Sequence, residues 1–119
     1  MVLPGMSRNA INRELVAASA EPMVLSLLEH GENYGYSIIK EIERRSGGKI
    51  AWTEGMLYPV LHRLERGGKI KARWRTAENG RKRKYYSLAP RGRSALAAIR
   101  EQWSVVQQTL GKLWEPRHA

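Results

Sequence analysis

The chain has 119 residues and a formal net charge of +10, from 21 Lys and Arg against 11 acids, and is 42% hydrophobic; this describes one folded domain with a modest core rather than a disordered chain. It has no cysteine, and every acid is a glutamate, which excludes a disulfide framework, a thiol nucleophile, a Cys-based zinc site, a Ser-His-Asp triad and an EF-hand loop. His30, His62 and His118 lack metal-ligand spacing and no Gly-rich phosphate loop is present, so neither an enzyme nor a metal or cofactor site is expected.

Residues 1–7 read as a flexible tail too short for a signal peptide, and no apolar run approaches the roughly 18 residues of a membrane span. A cytoplasmic protein without a membrane partner is expected. Residues 9–20 read as helical, with Ile11, Leu15 and Val16 on one side. Pro22 either opens a second helical segment, where its missing N–H costs little, or kinks one continuous helix. Met23, Val24, Leu27 and Leu28 continue an apolar stripe that ends at His30 and Gly31. Asn33 is the expected cap of the next helix, in which Ile38, Ile39 and Ile42 face inward and Gly47-Gly48 stop the chain. Residues 49–52 read as a short extended piece with Ile50 and Trp52 on one side. Tyr34 and Tyr36 are expected to pack at the start of that helix, with Tyr34 a candidate for lining a ligand site.

Thr53 should cap a third helix that ends at Gly67-Gly68. At 100° per residue, Leu57, Val60, Leu61 and Leu64 fall within about 60° of one direction. The other side carries Gly55, Pro59, His62 and Arg66, with Tyr58 and Arg63 at its margins. A helix that enters a major groove needs such a packed rear and a slim, hydrogen-bonding front. Gly55 admits a sugar-phosphate backbone, and the N-terminus at Thr53 offers N–H groups to a phosphate. Pro59, about six positions into the helix, removes one backbone hydrogen bond and can cost ~3 kcal/mol, a cost that either a local kink or a helix start nearer Gly55 would soften.

The period then changes from 3.6 to 2. Ile70, Ala72 and Trp74 alternate with Lys69, Lys71, Arg73 and Arg75, which gives a half-buried strand with a cationic outer face and Trp74, like Trp52, in the core. Asn79-Gly80 marks a turn, and residues 81–88 return as a second strand. Residues 69–93 hold ten basic side chains and one acid, whereas residues 1–68 are balanced at eight and eight. A positive field this local favours nucleic acid over a merely solvated face. Arg81, Lys82 and Lys84 of this hairpin are the candidate phosphate or minor-groove contacts.

Pro90 opens a last helix whose apolar residues Leu96, Ile99, Trp103, Val106, Leu110 and Leu113 are spaced 3, 4, 3, 4 and 3 apart. That narrow seven-residue repeat is a coiled-coil seam, so these six residues are the candidate dimerisation set. Trp103 and Val106 are also candidate ligand contacts. From spacing alone, an indole filling the interface and an indole stacking on a planar ligand are both open. Trp114 is read as covering the end of the dimer.

The order is that of a mainly α winged helix-turn-helix domain, residues 8–89, with a basic β-hairpin wing and a C-terminal dimerisation helix over 90–115. Three separated motifs go further. Residues 33–36 (Asn-Tyr-Gly-Tyr), the run from Thr53 through Leu57-Tyr58-Pro59 to His62-Arg63, and the run from Gly80-Arg81-Lys82 to Tyr85-Tyr86-Ser87-Leu88 resemble the PadR family of bacterial transcriptional regulators. The likeness spans about residues 20–114. The single C-terminal helix is similar to the small subfamily that includes the multidrug-responsive repressor LmrR. The resemblance implies a homodimer, binding to double-stranded operator DNA, and release by a small planar aromatic ligand. It places Tyr58, Pro59 and His62 on the recognition helix, Arg81, Lys82 and Lys84 on the wing, and Trp103 in a flat pore at the dimer centre. The chain departs from the family in having Ala89, rather than a capping threonine, before Pro90. The competing functional readings are a sequence-tolerant architectural DNA binder and a ligand-binding protein with an incidental basic hairpin.

Overall fold

The structure is a computed structural model and describes residues 11–116; the tail expected at 1–7 lies outside them, as does the start of the first expected helix. Its elements are α1 (Arg13–Glu29), β1 (Asn33–Tyr34), α2 (Gly35–Arg45), α3 (Glu54–Arg66), β2 (Ile70–Thr76), β3 (Lys82–Leu88) and α4 (Pro90–Trp114). The strands form one antiparallel sheet in the order β1-β3-β2. The chain is mainly helical and carries the winged-helix arrangement expected from the sequence.

α1 begins where the Asn12 carboxamide oxygen accepts from the amides of Glu14 (2.9 Å) and Leu15 (3.3 Å). It runs unbroken through Pro22, so the two segments considered from sequence are one helix. Val16, Ala20, Val24, Leu25 and Leu28 are buried. Ile11 and Leu15, grouped with Val16 in the sequence reading, are instead exposed, because the first turn extends past the core.

Two expectations about the next segment are corrected. Asn33 does not cap α2: its side chain accepts from the amide of Tyr34. Asn33 and Tyr34 pair with Tyr86 and Tyr85 as a third strand. The short strand lies here and not at 49–52, which is irregular and held by Trp52 in the core. Tyr36 is exposed rather than packed. Ile38, Ile39 and Ile42 face inward as expected.

One core joins α1, α2, α3, the base of the sheet and the start of α4. Leu25, Ile38, Leu57, Leu61, Leu64, Ile70 and Leu96 are its fully buried large side chains. Leu96, expected on the dimer seam, is therefore internal to the protomer. Ile99 packs against the same core. α4 is positioned by a close approach at its first turn. Gly92 is buried against the carbonyl of Lys69, the group that accepts from the amide of Ala89 at 3.0 Å. No side chain caps α4, as expected with alanine at position 89. The guanidinium of Arg91 donates to the carbonyl of Gly67 at 3.1 Å and so satisfies the end of α3. Beyond the core the outer half of α4 is exposed.

Candidate nucleic-acid interface

α3 has the two-sided character its sequence implies. Leu57, Val60, Leu61 and Leu64 are buried, and Gly55, Pro59, His62 and Arg66 are exposed on the opposite side. The Thr53 hydroxyl accepts from the amide of Met56 at 3.3 Å and fixes the start of the helix. A Cβ on Gly55 would meet only the Thr53 hydroxyl, at 3.7 Å, so the front of the first turn is open. The helix continues through Pro59, whose missing donor leaves the Gly55 carbonyl free on this open side.

Two candidate residues lie off the front. The Tyr58 ring rests over the first residue of α2, and a Cβ on Gly35 would come within 2.9 Å of its hydroxyl. This explains the buried glycine of the Asn-Tyr-Gly-Tyr motif. Arg63 turns to the other flank, where it lines a groove with Met56, Trp52 and Val16.

The wing is a regular hairpin. Ile70 pairs with Leu88, Ala72 with Tyr86, Trp74 with Lys84 and Thr76 with Lys82. The amide of Gly80 donates to the carbonyl of Ala77 (2.9 Å), and the amide of Ala77 donates to that of Arg81 (2.7 Å). Gly80 has φ 81°. The tip is thus a β-turn closed by a left-handed glycine, at the Asn79-Gly80 position expected from the sequence. The Asn79 side chain accepts from the amide of Arg81. Arg81 and Lys82 are exposed there and make no ion pair among the described residues.

The excess charge divides between two faces. The face with Ile70 and Tyr86 looks toward α3, and Lys84 on it lies 3.6 Å from the Glu65 carboxylate of α3. Lys84 is half-buried, with its ammonium 5.6 Å from the Tyr86 ring centre; it ties wing to helix rather than extending freely. Burial, then the nearby Glu65, raises the Tyr86 phenol above its ordinary value. The opposite face carries Arg73, Arg75, Arg83 and Tyr85. The cationic outer face expected from the sequence is an organised network. Arg73 donates to Glu32 at 3.1 and 3.2 Å, and Arg75 also bonds Glu32. Arg75 and Arg83 each lie 4.6 Å over a tyrosine ring, Tyr85 and Tyr34. Those two rings meet edge to face at 5.4 Å. The Arg73 hydrogen bonds lead in holding the Glu32 carboxyl below its ordinary range. Tyr34 thus braces the sheet. Sequence reasoning missed Glu32 because its partners lie 41 and 43 residues away.

Trp74 is the largest departure. It shares the parity of Ile70 and Ala72 but is 67% exposed. At about 3.3 Å per residue it stands ~13 Å along the strand from Ile70, where no helix covers it.

At the other end of the molecule, Arg100 donates to Glu29 and ties α4 to α1. Trp103 is half-buried beside an apolar groove of about 470 Å³ lined by Met23, Leu27, Ile42 and Ile50. Val106 does not line it. Val106, Leu110 and Leu113 face outward, Leu113 with 72% of its surface exposed.

A helix with one exposed polar side, followed by a basic β-hairpin, defines the class as a winged-helix protein. Residues 24–98 match the transcriptional regulator PadR-like family, and the chain belongs to that family. It is 34% identical over 88 residues to the transcriptional regulator Rv3488 of Mycobacterium tuberculosis, covering 74% of this chain and 78% of that one. It is similar to the solved structure of a transcriptional regulator from Clostridium thermocellum, with TM-score 0.80, 28% identity, and coverage of 89% of this chain and all of that one. A PadR family regulator from Eggerthella lenta aligns with TM-score 0.75 and 31% identity over 87% of this chain and 88% of that one. The chain is a transcriptional regulator, not an enzyme. No helix among the described residues is long and apolar enough to cross a membrane.

Proposed function

We propose that this protein is a homodimeric repressor that binds operator DNA through α3 and the wing and is released by a planar aromatic ligand at Trp103. The observation that supports the DNA reading is the Lys84–Glu65 contact, which links the wing to the flank of α3. In this reading one DNA-facing surface combines Gly55, His62 and Arg66 with Arg81 and Lys82. His62 is assigned to base edges; Arg66, Arg81 and Lys82 are assigned to phosphates. Pro59 shapes the helix front, Tyr58 packs beside it over Gly35, and Thr53 holds its N-terminus. Arg63 sits at the edge of this surface.

The dimer reading is supported by the outer half of α4, where Val106 is 50% exposed and Leu113 more so. Trp103, Val106, Leu110 and Leu113 continue the seven-residue repeat after Leu96 and Ile99 have entered the core. A second α4 would bury them. Two recognition helices would then address half-sites about one helical turn, ~34 Å, apart. Two Trp103 side chains close to the dimer centre, each beside its own apolar groove, suit a flat ligand.

Selection of bound sequences from random duplex tests the reading: a pseudo-palindrome is expected, whereas a sequence-tolerant binder would return none. If the dimer neutralises six to ten phosphates, affinity falls ~10³- to 10⁵-fold between 50 and 200 mM salt. Planar dyes should quench Trp103 and weaken DNA binding, with DNA weakening dye binding by the same factor. Dye binding without such mutual weakening would leave Trp103 as interface packing or a separate ligand site.

A further inference from the structure

From α1 to β3, no large apolar side chain is more exposed than Trp74. It lies directly across from Lys84 in the sheet register, and Lys84 reaches Glu65 of α3. The indole therefore stands on the wing face that looks to α3, not on the Arg–Tyr face braced by Glu32. The next pair outward on this face is Thr76 with Lys82, and Trp74, Arg75, Thr76 and Lys82 line one shallow depression. Arg81 follows at the tip.

We propose that Trp74 is a duplex-contacting residue whose indole packs on the deoxyribose of the DNA backbone beside the groove entered by α3, with Lys82 on a neighbouring phosphate. This rests on the DNA-binding reading above and adds to it a contact that is apolar rather than ionic. The occupant follows from charge complementarity. An indole with a hydroxyl and cations beside it matches a strand of apolar sugar faces separated by anionic oxygens. An apolar protein surface would leave Lys82 and Arg81 to be desolvated without partners.

The two kinds of contact differ in salt dependence. Phosphate neutralisation releases counterions, and sugar packing releases none. Affinity for the selected operator is measured across a salt series for the wild type, Trp74→Ala and Lys82→Ala. Trp74→Ala should weaken binding roughly 10- to 30-fold at every salt concentration, the loss expected for uncovering about half of an indole. Its salt slope should equal that of the wild type, and Lys82→Ala should reduce the slope by about 0.9 per protomer. Because Trp74 stands outside the core, the melting temperature should not change. The emission lost in Trp74→Phe, which keeps a ring, should be the part that operator DNA shields from acrylamide in the wild type. Wild-type affinity retained within twofold in Trp74→Ala, or an indole equally quenched with and without DNA, overturns the assignment while leaving the DNA-binding reading intact. A change of oligomeric state in Trp74→Ala without DNA overturns it in favour of a second copy as the occupant. A wild-type protein that fails to bind any duplex brings down the underlying reading instead.

Discussion

Gly92→Ala should destabilise the protein, against the usual trend for glycine in a helix. Replacing an exposed helical glycine by alanine normally gains about 1 kcal/mol. At Gly92 the new Cβ would stand 2.7 Å from Leu88 Cδ1 and 3.0 Å from the carbonyl carbon of Lys69, and nearer still to the carbonyl oxygen. Leu88 can adjust, but the carbonyl is backbone and holds the amide of Ala89 at 3.0 Å. Moving it sacrifices a hydrogen bond worth about 1 kcal/mol and overpacks the junction by about 1–3 kcal/mol. After the propensity gain the net loss is about 2 kcal/mol, or ~8 °C in melting temperature for a domain of this size. Gly111 supplies the control, because nothing lies within 4 Å of its Cβ position. Gly111→Ala should raise the melting temperature by ~4 °C. Thermal unfolding followed by circular dichroism, at one protein concentration because the proposed dimerisation would shift the midpoint, measures both. If Gly92→Ala melts at or above the wild-type temperature, the junction is not a tight backbone contact and the reasoning fails.

Other expected outcomes concern the surface. Arg81→Ala should weaken binding to all duplexes alike in gel-shift titrations, whereas His62→Ala should redistribute sequence preference by ~1–3 kcal/mol at one position per half-site. An unchanged preference profile would remove His62 from base reading. Leu113→Lys should shift the sedimentation of the protein toward monomer, because it places a charge on the proposed seam; Leu96→Ala should lower the melting temperature through loss of ~2–5 kcal/mol of core packing. Acid should destabilise the fold through three glutamates. Arg100 bonds lead in lowering Glu29, Arg73 bonds in lowering Glu32, and Arg44 and Arg45 lower Glu41 to about 2. A carboxylate lowered on folding contributes stability above its unfolded value of 4.5 and loses it as pH falls toward the folded value. The melting temperature should therefore decline from about pH 5 toward pH 2, and Glu41→Gln should flatten the lower part of that decline.

The amino-acid pattern alone determined what is local. A 3.6-residue period with Thr53 before it and glycines after it specified α3 and its buried side, because each signal acts within a few residues. Alternation of apolar and basic residues specified the wing, and an uneven charge distribution marked it as the most cationic stretch of the chain. Tertiary structure decided whatever depends on where the core stops. Trp74 and Ile70 have the same parity, and Leu96 and Leu113 the same repeat, yet one of each pair is covered and the other is not. Periodicity reports which side of an element faces the core but carries no measure of how far the core extends along it. Likewise Glu32 with Arg73 and Arg75, Lys84 with Glu65, and Gly92 beneath Lys69 are meetings across the fold, set by the sheet register and by the path of α4 rather than by neighbours in the chain.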